Sequence, residues 1–267
     1  MTSELGLRHQ RVQRLRRLLR RRSSRQSEGA FVVEGAKLLV CALDAGAEIE
    51  TVFVGVEGRE NPAVAEAVER ATARGVRVFS LGPGVVERVA DTATPQPLLA
   101  VVRTPLATLD DLAGATFVVV CVDVRDPGNA GAVIRSADAA GADGVVCCAG
   151  TVDPFNPKTV RASAGSVLHL PVVAGEDPSD VLDDLRGRGL ECLAAVAHGG
   201  TPDTEVDYTA PLALVLGNEA AGLPDVLGDR IDRRVTIAMA GRAESLNVSM
   251  AAAVLCFEVL RARSHRL

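Results

Sequence analysis

The chain has 267 residues, of which 48% are apolar and 24% are charged, and its formal net charge at pH 7 is −5. This composition is typical of a folded protein of one or two domains and excludes a chain that is disordered throughout. No apolar run reaches the roughly 18 residues that cross a bilayer, and the arginine-rich N-terminus is unlike a secretory signal. We therefore expect a cytoplasmic protein without a membrane anchor.

The charge is distributed unevenly along the chain. Residues 1–27 hold nine arginines and one acidic residue, which gives this segment a net charge of +8 and leaves −13 on the other 240 residues. A helix over residues 8–22 is predicted from four apolar residues at helical spacing, Val12, Leu15, Leu18 and Leu19. The arginines form either a solvated helical face or an arm that binds phosphate, since guanidinium groups pair bidentately with phosphate. The excess of arginine favours a basic arm over residues 1–27 that contacts RNA or DNA.

The next part of the chain alternates between predicted strands and helices. Strands are predicted at residues 30–34, 50–55, 76–81 and 98–103, and helices at 36–45, 62–74 and 83–91. Pro62 in the first turn and Gly75 at the end bound the second of these helices. Residues 28–105 are thus predicted to form a small α/β domain, followed by a linker over residues 106–115.

A second α/β domain is predicted over residues 116–267. It opens with a near-continuous apolar run at 117–124, which is typical of a strand buried on both faces of a parallel sheet. Further strands are predicted at 145–148, 167–173, 192–197, 212–216 and 234–238, and helices at 130–140, 157–164, 178–188 and 245–262. The regular alternation indicates an α/β fold with a mostly parallel sheet.

The cysteines and histidines do not suggest a metal site. None of the six cysteines has C-x-x-C spacing, and the four histidines form no metalloenzyme motif. Cys147 and Cys148 lie in a predicted strand, so we expect buried, reduced thiols.

Three loops follow predicted buried strands and are rich in glycine and polar residues: Asp126–Gly131, Gly217–Leu223 and Gly241–Ser249. Ligands of open α/β sheets bind at the carboxyl ends of the strands. Each loop alone has a structural explanation as turn or capping chemistry, and Ser245 would serve as the cap of the last helix. Three such loops at equivalent strand ends favour a ligand site.

Arg135 is a lone cation on an otherwise apolar helix. Such a cation needs an acidic partner or an anionic ligand, and the candidates are Glu219 and a substrate phosphate. A nicotinamide-dependent oxidoreductase stays an alternative, although no third glycine completes a G-x-G-x-x-G fingerprint after Gly131. A titration with nicotinamide cofactor would test this alternative.

The three loops resemble the motifs of the SpoU (TrmH-like) family of RNA ribose 2′-O-methyltransferases, in the SPOUT superfamily. The first reads Asp126-Pro127-x-Asn129-x-Gly131-x-x-x-Arg135, and the second Leu216-Gly217-x-Glu219-x-x-Gly222-Leu223. The third reads Ile237-x-Met239-x-Gly241-x-x-x-Ser245-Leu246-Asn247-Val248. The resemblance spans residues 117–262 in the right order, with Ala238 where the family usually has proline.

The resemblance implies a fold, a cofactor and a quaternary structure. The fold is α/β, with a mostly parallel sheet and a deep trefoil knot in the C-terminal domain and a smaller α/β substrate-binding domain before it. The cofactor is S-adenosyl-L-methionine, which the family binds in the knot, and no metal is needed. The cofactor contacts carried over from the family are Gly217, Ile237, Leu246, Leu216, Asn218 and Met239. The family works as a homodimer in which one subunit completes the site of the other.

The resemblance also assigns roles in catalysis and RNA binding. Arg135 corresponds to the residue proposed as general base in the family. Because a guanidinium has a pKa above 12, we favour a role in anchoring the target phosphate and stabilising the developing alkoxide. Asn129, Ser245 and Asn247 would orient the ribose and the loops, and Glu219 would fix the second loop. The candidate RNA contacts are Arg11, Arg14, Arg17, Arg21, Arg22 and Lys37.

The expected substrate is structured RNA, with ribosomal RNA favoured over transfer RNA because of the extra N-terminal domain. Aromatic residues make up only 3% of the chain, so recognition by shape and phosphate contacts is favoured over base stacking. A tRNA methyltransferase and a non-catalytic RNA-binding protein of the same fold stay as alternatives, and a methyl-transfer assay on total RNA would separate them.

Overall fold

The structure is a computed structural model that describes residues 4–90, 94–105 and 107–264. Its contacts divide the chain into two units. The first comprises the residues up to Pro105 together with Phe155–Leu168, and the second comprises the rest. The sequence predicts one domain over residues 116–267, whereas the segment Phe155–Leu168 belongs to the first unit.

The described residues form nine α-helices and eleven strands. The helices are α1 (Gln10–Arg20), α2 (Arg22–Glu28), α3 (Ala36–Asp44), α4 (Pro62–Ala73), α5 (Val85–Val89), α6 (Pro127–Ala139), α7 (Pro157–Ala162), α8 (Pro178–Gly187) and α9 (Val248–Ser264). The strands are β1 (Ala30–Glu34), β2 (Ile49–Val54), β3 (Arg77–Ser80), β4 (Leu98–Arg103), β5 (Phe117–Cys121), β6 (Gly144–Cys147), β7 (Val172–Ala174), β8 (Glu191–Ala195), β9 (Thr201–Pro202), β10 (Leu212–Leu216) and β11 (Arg233–Thr236).

The first unit is built on a mixed four-stranded sheet in the order β1-β4-β2-β3. Strand β4 pairs antiparallel with both β1 and β2, and β3 pairs parallel with β2 at one edge. The separate sheet agrees with the small α/β domain that the element order predicts.

The arginine-rich N-terminal segment is part of the first unit and does not form a separate arm. The apolar side of α1 (Val12, Leu15, Leu18 and Leu19) is buried against residues of the sheet that include Val32 and Leu99. The single helix predicted over residues 8–22 is two helices, because the backbone at Arg21 is extended. Arg25 in α2 is itself buried and donates a hydrogen bond to the carbonyl of Leu18 at 2.8 Å.

A substitution at Leu15 tests whether the packing of α1 stabilises the first unit. We expect Leu15→Ala to lower the free energy of unfolding by about 2–5 kcal/mol, because the side chain is fully buried and its removal leaves a cavity. The measurement is urea-induced unfolding of the full-length chain. Arg16→Ala, at the exposed neighbouring position, is the control and should change stability by less than about 0.5 kcal/mol. Equal effects of the two substitutions would contradict the packing described for α1.

The segment Phe155–Leu168 packs on strand β1 of the first unit. The ring centroids of Phe155 and Phe31 are 5.0 Å apart, and helix α7 lies against β1. The strand predicted over 167–173 is wrong in its first half, which forms a 3-10 turn at Ser166–Leu168, and only Val172–Ala174 pairs in the sheet. Pro171 explains the late start, because proline cannot donate a ladder hydrogen bond.

The second unit is built on a seven-stranded sheet in the order β7-β6-β5-β10-β8-β11-β9. Every pair in it is parallel, and all residues of β5 and β10 are buried. The predicted mostly parallel sheet is thus confirmed. The knot implied by the family resemblance stays a prediction.

Two segments of the second unit differ from their predicted form. The expected linker 106–115 contains a 3-10 turn at Leu109–Leu112, and Leu112 is buried in the core of this unit. The last helix begins at Val248 instead of residue 245, because Asn247 and not Ser245 accepts the capping hydrogen bond, from the amide of Ser249 at 2.9 Å.

In the part of the chain that the structure describes, no helix is long and apolar enough to cross a membrane. The same residues contain no group of three or more His, Cys, Asp or Glu side chains placed to hold a metal ion. All six cysteines are free thiols, and five of them are buried. Burial raises the pKa of the Cys148 thiol to about 12, which keeps that thiol protonated at neutral pH.

Candidate functional site

A crevice of about 400 Å³ opens at the carboxyl ends of β8, β10 and β11 in the second unit. Its lining comes from the ends of these strands, the loops that follow them and the first turns of α9. In a parallel sheet this is the edge at which ligands bind. The volume lies within the range of small-molecule sites, about 300–1,000 Å³.

All six residues expected to contact a cofactor line this crevice: Leu216, Gly217, Asn218, Ile237, Met239 and Leu246. Of the five residues expected in catalysis, Glu219 and Ser245 also line it. Asn129, Arg135 and Asn247 are outside the lining. The second and third loops therefore converge on one crevice, as their positions at strand ends predict.

The second loop needs glycine at Gly217 for a steric reason. Its backbone folds back so that Asn218 and Gly222 exchange two backbone hydrogen bonds of 3.0 and 2.9 Å. A Cβ atom at Gly217 would lie 2.6 Å from the carbonyl carbon of Gly222, closer than side chains tolerate. Gly222 itself has a φ of 72°, in the left-handed region that favours glycine. The tight turn therefore packs Gly217 directly against the backbone of Gly222 and Leu223.

Asn129 connects all three loops through its side-chain amide. Its Nδ2 donates to Oε1 of Glu219 in the second loop at 2.8 Å, and its Oδ1 accepts from Nδ2 of Asn247 in the third loop at 3.0 Å. The backbone amide of Asn129 donates to Oδ1 of Asp126, which caps helix α6. One amide side chain thus fixes the position of the first loop against the other two.

A second bond joins the second loop to the segment just before the first loop. Nδ2 of Asn218 donates to the carbonyl of Asp123 at 2.9 Å, while Oδ1 of Asn218 accepts from the amides of Ala220 and Ala221 at 3.0 Å each. Asp123 has a φ of 55°, an uncommon conformation for a residue with a side chain. Asn218 therefore supports the shape of the second loop and also holds it to the first.

Arg135 has a different environment from the one proposed on the sequence. Of the two candidate partners, Glu219 accepts a hydrogen bond from Asn129 and forms no ion pair with Arg135 among the described residues. Arg135 is exposed on α6, and no ion pair or hydrogen bond of its side chain occurs among residues 4–90, 94–105 and 107–264. Because Arg135 is exposed, water solvates its guanidinium, which needs no ion-pair partner and is accessible to an anionic ligand.

Ala238 stands where the family usually has proline, and its backbone amide makes a hydrogen bond in the structure. The amide of Ala238, which a proline would lack, lies 3.4 Å from Oδ1 of Asp203. Asp203 is buried, so this long hydrogen bond gives its carboxylate a partner at the end of β11. The bond links the turn before Met239 to the body of the unit.

One more segment lines the crevice, and the sequence analysis does not predict it. Residues 195–198 at the end of β8, including His198, line it, and so does Glu244 in the third loop. The sequence signal for the fourth segment is the run His198-Gly199-Gly200 after a buried strand, which is the kind of pattern that indicates the other loops. A Cβ at Gly200 would lie 2.8 Å from Oγ1 of Thr236, so this segment also depends on glycine.

The six candidate RNA contacts all lie in the first unit but differ in availability. Arg14 forms ion pairs with Glu28 and Glu50 at 2.5 Å each, and its hydrogen bond to Glu50 is the main cause of a raised pKa. Arg17 lies 3.7 Å from Glu28. Exposure does not separate Arg17 from the other four, since all five are exposed: Arg11, Arg17, Arg21, Arg22 and Lys37.

Comparison with protein families gives two matches that together cover most of the chain. The model described as the SpoU rRNA Methylase family matches residues 116–257. The model described as the MRM3-like substrate binding domain matches residues 9–100.

Individual relatives match along nearly the whole chain. The 23S rRNA (guanosine(2553)-2′-O)-methyltransferase RlmP of Bacillus subtilis is 34% identical over 241 residues, which cover 90% of this chain and 92% of that protein. The 23S rRNA (uridine(2479)-2′-O)-methyltransferase of Streptomyces viridochromogenes is 33% identical, with 96% and 91% covered. The crystal structure of an AdoMet-bound rRNA methyltransferase from Sinorhizobium meliloti has a TM-score of 0.83 and 34% identity, with 100% and 98% covered.

Proposed function

Because the chain belongs to the SpoU rRNA methylase family, we propose that it transfers a methyl group from S-adenosyl-L-methionine to a ribose 2′-hydroxyl of 23S ribosomal RNA. The single observation that carries the proposal is that the three motif loops are joined through Asn129 beside one crevice. Ribosomal RNA is favoured over transfer RNA because both relatives described above are named as 23S rRNA enzymes. Such a substrate would place the enzyme in the cytoplasm.

The crevice suits S-adenosyl-L-methionine in size and chemistry. Gly217 lines the crevice with backbone atoms alone, and Leu216, Ile237, Met239 and Leu246 supply apolar lining for an adenine ring. Glu244 and Glu219 add negative charge at the rim, which suits a cationic sulfonium. When bound, this cofactor supplies a methyl group on a sulfonium that is already a good leaving group, so the reaction needs no metal.

Side chains of the protein position the ribose and stabilise the charge that develops during the transfer. The ribose 2′-oxygen must be aligned with the methyl group and must lose its proton. A guanidinium such as Arg135 can bind the neighbouring phosphate in bidentate fashion and stabilise negative charge as it develops on the oxygen. Asn129, Ser245 and Asn247 orient the ribose and the loops, and Glu219 holds Asn129.

We also propose that two copies associate through α6 and α9, so that Arg135 of one copy reaches the crevice of the other. Met250 and Phe257, two helical turns apart on α9, are 60% and 42% exposed. Helix α9 packs against α6, which carries the exposed Arg135. Exposed large apolar side chains, such as these two on α9, are typical of an interface. This arrangement also explains why Arg135 is outside the lining in its own chain.

Phe257→Glu tests the dimer. We expect the variant to sediment as a monomer and to lose methyl transfer, because a carboxylate cannot be buried unpaired at an apolar interface. Val226→Glu, at a residue that is 71% exposed elsewhere in the same unit, should leave both the dimer and the activity unchanged. A wild-type chain that sediments as a monomer while it methylates RNA would contradict the proposed association.

The proposed reaction is tested with methyl-tritiated S-adenosyl-L-methionine and total bacterial RNA. We expect label in 23S ribosomal RNA that is released as a 2′-O-methyl nucleoside. Label only in transfer RNA would favour the tRNA alternative. RNA binding without any transfer would identify a non-catalytic RNA-binding protein and would overturn the proposed activity.

A further inference from the structure

A second cavity, which we call the arginine cleft, lies in the first unit beside β2 and β3. Its volume is about 420 Å³. Its charged lining residues are four arginines and one acidic residue: Arg11, Arg14, Arg74, Arg77 and Glu50. Arg74 and Arg77 fall outside the arginine-rich segment at the N-terminus, so the fold gathers cations from α1, from the end of α4 and from β3 into one place.

Two of these arginines are fixed by bonds to the protein. Arg14 donates to Glu28 and Glu50 at 2.5 Å each, and Arg74 donates to the carbonyl of Leu43. Glu50 also pairs with Arg103 at 3.0 Å, so the one acidic residue of the lining is shared between two cations. The cleft therefore keeps a net positive charge. On one wall, the side chains of Arg14 and Arg74 have little freedom of movement.

The other two arginines have donors to spare. The guanidinium carbon of Arg11 lies 4.7 Å from the centre of the Phe79 ring. A cation over a ring face is attracted by the ring without using its N–H groups, so Arg11 is oriented while its donors stay available. Arg77 is exposed, and within the described part of the chain its side chain forms no ion pair or hydrogen bond.

We propose that the arginine cleft binds the phosphodiester backbone of the RNA substrate, with Arg11 and Arg77 as the direct contacts. The proposal rests on the proposed function, which makes RNA the polyanion that this protein meets. Arginine forks match the paired oxygens of a phosphate. Since Phe79 is covered by Arg11 on one side and has Phe53 at 6.0 Å, the cleft favours a phosphate over a stacked base. Arg74, which donates to the carbonyl of Leu43, supplies fixed positive charge beside the ion-paired Arg14.

The test is RNA binding by the full-length chain, measured without cofactor on ribosomal RNA fragments over a range of salt concentrations. Arg77→Ala and Arg11→Ala should each weaken binding by about threefold to tenfold and lower the slope of log K against log salt by about 1, as for loss of one phosphate contact. Arg88→Ala removes another exposed arginine of the first unit that is outside the cleft, and it should change binding by less than twofold.

The same variants separate this proposal from the proposed function. At saturating RNA, Arg11→Ala and Arg77→Ala should keep the wild-type kcat and the wild-type Kd for S-adenosyl-L-methionine, with a raised KM for RNA. If the wild-type chain transfers no methyl group, the proposed function fails and the binding measurement still decides on the cleft. The proposed cleft would be overturned if Arg11→Ala and Arg77→Ala both had the RNA affinity and the salt slope of Arg88→Ala.

Discussion

Arg135→Ala is expected to lower kcat for methyl transfer by about 100- to 1,000-fold, the usual effect of removing a group that stabilises charge in the transition state. The Kd for S-adenosyl-L-methionine should stay at the wild-type value, because the proposed ligand of Arg135 is the RNA phosphate and not the cofactor. Steady-state kinetics on ribosomal RNA and calorimetric titration of the cofactor supply the two measurements.

Arg135→Lys distinguishes the roles of this side chain. Lysine keeps the charge but loses the planar fork, so we expect a loss in kcat of about 10- to 100-fold if the phosphate is held in bidentate fashion. Retention of most of kcat would contradict both the bidentate and the general-base role. The control is Arg186→Ala on α8, which removes an exposed ion pair with Asp232 and should leave kcat within twofold.

Asn129→Asp is expected to raise the Kd for S-adenosyl-L-methionine and to lower kcat at least tenfold. The substitution removes the donor to Glu219 and places two carboxylates at about the 2.8 Å that now separates Nδ2 from Oε1. Like charges at this distance repel, so the second loop should move away from the first. Binding calorimetry reports the displacement, since the second loop lines the crevice.

A second substitution tests the same bond by rescue. Combining Asn129→Asp with Glu219→Gln restores a donor and an acceptor with the direction of the hydrogen bond reversed, and the acceptor for Asn247 is kept. The double variant should bind the cofactor more tightly than Asn129→Asp alone. If the effects of the two substitutions on Kd are simply additive, Asn129 and Glu219 are not coupled and the proposed positioning role is wrong.

The strand ends that form the site could be predicted from the sequence because their chemistry is local. Glycine at Gly217 and Gly222, polar side chains such as Asn218 and a preceding buried strand are all visible in a short window. The predicted strands 30–34, 98–103 and 212–216 have the bounds of β1, β4 and β10 for the same reason, since short apolar runs with clear ends determine them.

Features that depend on distant parts of the chain could not be predicted in this way. Glu28 and Glu50 neutralise Arg14, although nothing near residue 14 in the sequence indicates them.

Helical geometry, in contrast, limits the partners that the sequence allows for Glu219. Asn129 and Arg135 are six residues apart, which places them about 120° apart around α6, so one carboxylate at the end of the helix cannot readily meet both.

The most direct measurement is the map of 2′-O-methylated nucleotides in 23S ribosomal RNA from cells that carry or lack this protein. We expect one ribose to be methylated in cells with the wild-type chain and unmethylated in cells without it. Expression of the wild-type chain should restore the methyl group, whereas an equal amount of Arg135→Ala should not. Identical maps with and without the protein, in ribosomal and transfer RNA alike, would contradict the assignment of this crevice to ribose methylation.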